Sequence, residues 1–217
     1  VAAPATRYAR GQQRRDALIA AAADLLLEHG LGALSHRAVA TRAGLPLAST
    51  TYYFASAEDL RDEALQHLAD TWVVRAQEVV DRLPDDLGVD LAAQAVAQII
   101  GADESSARML LMYERYLDAG RHPRLRPVVV AWNARLEHLV HRVLTRAGLA
   151  PDPGAPRLVL AVADGTAVTA LAEGSSVQEA VTGSVHRLLS LLRETQGGST
   201  GPGGLDPWRD SSTHPDL

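Results

Sequence analysis

This sequence predicts an all-α protein, and three observations carry the expectation. Apolar residues recur at i, i+3, i+4 and i+7 over long stretches, as in Leu18, Ala21, Ala22, Leu25 and Leu26. No run alternates apolar and polar residues between turn signals, as a half-buried strand would. Gly and Pro breakers separate the periodic stretches into about nine helices. The composition agrees: hydrophobic residues make up 47% and aromatics only 4%, so Ala, Leu and Val must fill the core, and 22% charged residues suit a water-facing surface.

Residues 1–10 read as a polar, basic arm. A helix follows from 11 to His29, and Gly30 is its natural stop. Ser35 is placed to cap the next helix, SHRAVATRA, with Leu34 and Val39 spaced as a hydrophobic staple that fixes the entry angle of the chain. That helix ends at Gly44. A short third helix runs from Leu47 to Phe54, with Pro46 at its start, where a missing N–H is harmless. Ser56 caps a long fourth helix that continues through Trp72 to Leu83 and stops before Pro84. Five further helices are expected near 89–101, 104–119, 125–147, 156–173 and 177–195, the last opened by the capping pair Ser176 and Glu179. The organisation is then an arm at 1–10, a three-helix unit at 11–55, a helical body at 56–195 and a Gly/Pro/Ser-rich tail at 196–217, read as disordered. The tail's GGSTG matches G-x-S-x-G in form only, because a nucleophile elbow needs a strand before its Ser and a helix after it.

Several chemistries are closed to this chain. There is no Cys, hence no disulfide, thiolate metal site or cysteine nucleophile. All 21 basic residues are Arg, which removes Schiff-base and P-loop lysines. No convergent acid, base or nucleophile spacing appears, so an enzyme is not expected, nor a cofactor or metal. His138 and His141 lie three apart on one helix, but nothing specifies a third ligand. Net charge is −5, unevenly spread: residues 1–54 hold six Arg against three acids, and the remainder holds fifteen against 23. A basic head on an acidic body hints at a phosphate-facing end. The longest apolar run, residues 17–27, is too short to span a bilayer and is broken by Asp24. A cytoplasmic protein without membrane contact is the expectation.

The first three helices have the layout of a helix-turn-helix DNA reader, with the last two joined through a Gly-bearing turn. The stretch RAGLPLASTTYYF (42–54) then acquires a purpose. Its Ser, Thr and Tyr hydroxyls suit phosphate oxygens and base edges, and small Ala48 and Ser49 let the backbone approach a groove wall.

The run from Leu18 to Leu60 resembles the N-terminal domain of the TetR/AcrR family of transcriptional regulators. The likeness rests on the aliphatics before His29-Gly30, S-x-R-x-V-A-x-x-A-G at 35–44, the Leu45-Pro46 turn, Y-Y-F at 52–54 and S-x-E-D-L at 56–60. It covers about one fifth of the chain. It implies contacts to double-stranded operator DNA from Ser35, His36 and Arg37 at the start of the second helix. It likewise implies contacts from Leu47, Ala48, Ser49, Thr51, Tyr52 and Tyr53 on a recognition helix. Arg37 is the side chain there able to grip a guanine edge with two hydrogen bonds. Three positions depart from the family's habit: Thr50 stands for an aliphatic, Thr51 for Tyr, and Ala57 for Lys. Arg7, Arg10, Arg14 and Arg15 of the arm are therefore expected to carry more of the phosphate contact.

For the body, the resemblance implies a homodimer through the last two helices and a near-palindromic operator. The small and aliphatic residues Ala161, Gly165, Val168, Val181, Val185, Leu188 and Leu192 are the candidate interface, although they would serve equally to complete the core of one chain. Met109, Met112, Tyr113, Tyr116 and Trp132 are the candidate lining for an apolar or amphipathic small-molecule effector. Asp164 is an acid in an apolar helix and needs a partner, whether a ligand, a second subunit or an N–H of its own chain. The function expected is a ligand-released repressor. A helical interaction or small-molecule-binding module without DNA binding is the rival reading, with a small helical enzyme behind it.

Overall fold

The computed structural model describes residues 4–149 and 152–197. Nine α-helices make up the described fold: α1 (Pro4–His29), α2 (His36–Ala43), α3 (Leu47–Tyr53), α4 (Ala57–Asp81), α5 (Val89–Ile99), α6 (Ser106–Arg121), α7 (Arg126–Arg146), α8 (Ala155–Glu173) and α9 (Val177–Gly197). Among the described residues there is no strand.

The N-terminal boundary departs from expectation. Residues 4–10 are helical and continue α1 rather than forming a flexible arm. Pro4 occupies the first turn, where it is tolerated, and Ala, Arg and Gln behind it are good helix formers. The tail expected at 196–217 lies outside the described residues beyond Gly197.

The caps follow the sequence signals. Ser35 Oγ accepts from the Ala38 N–H at 3.2 Å, and Ser56 Oγ accepts from the Asp59 N–H at 3.0 Å; each such cap stabilises its helix by about 1 kcal/mol. Gly44 closes α2 with φ 64°, in the left-handed region where other residues are strained. There the Gly44 and Leu45 N–H groups bond back to Thr41 and Ala40 in the Schellman pattern, which turns the chain into α3.

Two apolar cores result. Leu18, Ala22, Leu25 and Leu26 of α1 bury against Val39, Phe54 and the first turns of α4 through Leu60, Ala64, Leu65 and Leu68, with Leu111 of α6 closing the cluster. From Ala69 and Trp72 onward α4 belongs to a second core, built around α5 and completed by α6, α7, α8 and α9. The division expected at 55/56 therefore does not separate the packing. One continuous helix, α4, threads both cores. Gly101 (φ 73°) is fixed by Trp72 as well as by its backbone, since a Cβ there would sit 2.3 Å from the indole. That indole donates to the Ile99 carbonyl at 2.9 Å.

Candidate nucleic-acid interface and effector cavity

The outer face of α3 is the exposed surface that the head presents. Leu47 is 44% exposed and Tyr52 81%, and Ala48 and Thr51 are exposed beside them, with Ser49 half-buried. These two large side chains stand in water on one seven-residue helix. At the start of α2, Ser35 and Arg37 are exposed. The Ser35 oxygen is occupied as a cap acceptor, which leaves its O–H free to donate to a phosphate. Among the described residues the Arg37 guanidinium has no hydrogen-bond or ion-pair partner. His36 is half-buried, and its Nδ1 is enclosed without a partner.

Two details of the hydroxyl row differ from the sequence reading. Thr50 is 0% exposed, and its hydroxyl donates to the Leu47 carbonyl at 2.8 Å. The helix itself satisfies the alcohol, which is how a Thr can stand at a fully buried position. Tyr53 is half-buried against the head core, with its ring edge-on to Tyr52 at 4.9 Å. Its role is partly structural, and Tyr52 is the phenol that stands free.

Arg10 and Arg14 are exposed on α1; the Arg7 side chain lies outside the described residues. Arg15 does not behave as a free phosphate contact. Its Nη2 is 2.5 Å from Glu63 Oε1, and its guanidinium lies 5.5 Å from the centre of the Phe54 ring. The packing of α1 on α4 brings Glu63 to it, a juxtaposition 48 residues apart that no local pattern announces. Arg42 is similarly engaged, with both terminal nitrogens on the Glu28 carboxylate, whose pKa this pairing lowers.

In the body, Met109, Met112, Tyr113, Tyr116 and Trp132 come together around one narrow, partly open pocket, joined by Trp72, Ile100, Leu136 and Asp164. The free space is about 10 Å³, room for a single water. Trp72 and Trp132 meet edge to face at 6.2 Å, and the Tyr116 hydroxyl donates to Asn133 Oδ1 at 2.6 Å. Asp164 has found a partner within the chain: the Tyr113 hydroxyl donates to its Oδ1 at 3.2 Å. Burial pushes the Asp164 carboxyl up to about 6, partly offset by that hydrogen bond. Trp72 was not foreseen as lining. The spacing of Leu65, Ala69 and Trp72 on α4 could have placed it on the inward stripe. A second, open groove of about 490 Å³ runs between α4 and α7, lined by Val73, Val74, Ala134, Leu139, Arg135 and His138.

The candidate dimer face divides. Val181 and Val185 are fully buried within this chain's own core, because α9 turns its 181, 185, 189 stripe onto α5 and α8. They are not available to a partner. Leu188 and Leu192 are half-buried against the same core. Ala161, Gly165 and Val168 are exposed on α8. By composition α8 is long and apolar enough to cross a membrane, with mean hydropathy 1.3 over its most apolar window, yet only 39% of that window is buried.

Comparison with known proteins agrees with both halves. The model of bacterial regulatory proteins of the tetR family matches residues 18–64, and that of the tetracyclin repressor-like C-terminal domain matches residues 87–191. No curated protein sequence matches. Among solved structures, the multidrug-binding protein EbrR complexed with proflavin is 31% identical, with TM-score 0.61 over 82% of this chain and 99% of that one. Its ethidium complex is 31% identical with TM-score 0.62 over 82% and 98%. SCO1917 of Streptomyces coelicolor A3, a TetR-family member, is 31% identical with TM-score 0.62 over 82% and 97%. With a head that turns an exposed third helix outward and a helical body that holds an aromatic cavity, this chain belongs to the TetR family of transcriptional regulators.

Proposed function

We propose that this regulator is a cytoplasmic homodimeric repressor that leaves a near-palindromic operator when a small molecule enters the body. The observation that carries the reading is the outward face of α3, with Tyr52 and Leu47 standing in water beside the unpaired Arg37. Ser35, His36 and Arg37 would meet phosphates and a base edge while Leu47, Ala48, Ser49, Thr51, Tyr52 and the rim of Tyr53 line the major groove. Arg10 and Arg14 would add phosphate contacts from α1. The functional division would be residues 11–55 for DNA and 56–195 for ligand and dimer, with α4 common to both.

The exposed strip Ala161, Gly165 and Val168 supports a two-fold contact through α8, where small residues let two helices approach closely. The complexes of EbrR with proflavin and ethidium support an effector site in the body, and the narrow aromatic pocket would be its place in this chain. Ligand entry would then be a population shift, because a space for one water must open before a larger molecule fits. Opening would bias the α4 positions that set the separation of the two heads. Selection of bound fragments from random duplex DNA tests the whole reading. The expected product is a sequence with two inverted half-sites about one DNA turn apart. Enrichment of no sequence would overturn it.

A further inference from the structure

Ile100 is the one lining residue of the aromatic pocket that stands outside a helix. It opens the connection of residues 100–105 between α5 and α6. The pocket's free space is about 10 Å³, so a molecule larger than water enters only where a wall yields. Helices packed into shared cores yield as whole bodies and disturb many contacts, whereas a short connection can yield alone.

The holds on this connection are local. The Trp72 indole N–H on the Ile99 carbonyl pins the end of α5, so movement would begin after it. Ile100 and Ala102 are the apolar anchors, 5% and 6% exposed, and Gly101 packs its backbone on the indole of Trp72. Asp103 and Glu104 are both held by Arg75, one turn beyond Trp72 on α4. Arg75 Nη2 lies 2.8 Å from Asp103 Oδ2, and Arg75 Nη1 pairs with Glu104. Arg108 adds a second grip, with Nη1 3.8 Å from Glu104 Oε2 and its guanidinium 5.8 Å from the centre of the Trp72 ring. The Arg75 side chain is 46% exposed, and ion pairs so placed are individually weak and screened by salt. They can keep a short connection in place and still release it while the helices stay folded.

We propose that residues 100–105 are a gate to the pocket and that Arg75 is its latch. When Arg75 releases Asp103 and Glu104, Ile100 and the Gly101 backbone move off Trp72 and the wall opens. Trp72 and Arg75 both belong to α4, so the helix common to the two cores carries the surface on which the gate closes and the charge that holds it. The gate takes its biological sense from the reading of the pocket as an effector site, but its opening needs neither effector nor DNA.

The chain has no Cys, so a single introduced thiol reports opening. Met112→Cys places it on the pocket lining, at a side chain 4% exposed. Val185→Cys places a control thiol in the core away from that lining, at 0% exposure. The full chain is treated with excess iodoacetamide at mildly alkaline pH, and labelling is followed by mass. Arg75→Ala is expected to speed labelling at 112 roughly three- to tenfold, the worth of two partly exposed ion pairs, and to leave 185 unchanged. Asp103→Asn with Glu104→Gln releases the latch from its other side and is expected to give the same acceleration. Arg142→Ala removes an ion pair to Asp81 further along α4 and is expected to change neither rate. Unchanged labelling at 112 in both latch variants overturns the gate. Equal acceleration at 112 and 185, or acceleration by Arg142→Ala as large as by Arg75→Ala, also overturns it, since general loosening would then explain the rates. Latch-dependent labelling in a protein that selects no operator would uphold the gate and sink the repressor reading; operator selection with latch-independent labelling would do the reverse.

Discussion

The guanidinium of Arg115 lies 4.6 Å from the centre of the Trp132 ring while its Nη1 reaches the Leu65 carbonyl at 3.4 Å. Arg115 is 2% exposed, and its Nε and Nη2 have no acceptor. A buried cation so poorly matched is a strange choice for stability alone. Its position explains it better, since Leu65 belongs to the head core and Trp132 to the body core and the cavity wall. Arg115 therefore ties the cavity to α4, the helix that both cores share.

Arg115→Met separates these two roles. Replacement of an incompletely satisfied buried charge by an apolar chain is expected to leave the melting temperature unchanged or raised. The coupling should suffer instead: an effector found by screening small molecules for operator release would still bind, but the ratio of operator affinities without and with it would shrink. Intact coupling in a stable variant would show that Arg115 only fills space.

Arg37→Ala is expected to cost about 1–3 kcal/mol in operator binding and to relax sequence preference at one position per half-site. Competition among operator variants reads both effects. Uniform weakening on every sequence would assign Arg37 to phosphate.

The α1 arginines should divide by their partners. Substitution of exposed Arg10 and Arg14 by Ala is expected to flatten the slope of log affinity against log salt by roughly 2. Arg15→Ala is expected to leave that slope alone and to lower stability by no more than about 1 kcal/mol, since its pair with Glu63 is partly exposed. A flattened slope in Arg15→Ala would mean that the ion pair opens on DNA.

What was legible in the sequence was local or periodic. Ser35, Ser56, Gly44 and Gly30 fixed the helix boundaries of the head, and breakers fixed those of the body within a few residues. Composition also drew Met109, Met112, Tyr113, Tyr116 and Trp132 to one cavity, because large soft side chains in an Ala-rich chain have few places to pack. Pairings that depend on how helices are rotated against one another were not legible. Glu63 on Arg15 and Thr50 turned inward are of this kind, as is the orientation of α9. A valine stripe names a face without saying which neighbour receives it, and Val181 and Val185 face α5 rather than a second subunit.

That rotation makes a sharp pair of variants. Val168→Glu places a charge on the exposed strip of α8 and is expected to give a folded monomer with weakened operator binding. Val185→Glu buries the charge in the core and is expected to prevent folding, because an unpaired buried carboxylate has no compensation. Sedimentation and circular dichroism read the two outcomes. A dimeric Val168→Glu would move the subunit contact away from this strip.

The half-buried carboxylate of Asp164 also predicts a pH signature. Asp164 titrates at about 6 in the folded chain against an ordinary value of 3.8, so between these values the folded state binds more proton than the unfolded one. Stability from this group is therefore present at low pH and lost as pH rises through that window, by an amount on the order of 2–3 kcal/mol. Tyr113 and Tyr116, the titratable groups that face it, are both shifted upward, first by burial, and stay protonated throughout. Denaturant unfolding of the unaltered protein and of Asp164→Asn across this range should show a difference that grows in favour of Asn as pH rises to about 6, then levels. A difference that stays constant with pH would mean that the carboxylate is already solvated in the folded chain and keeps its ordinary pKa.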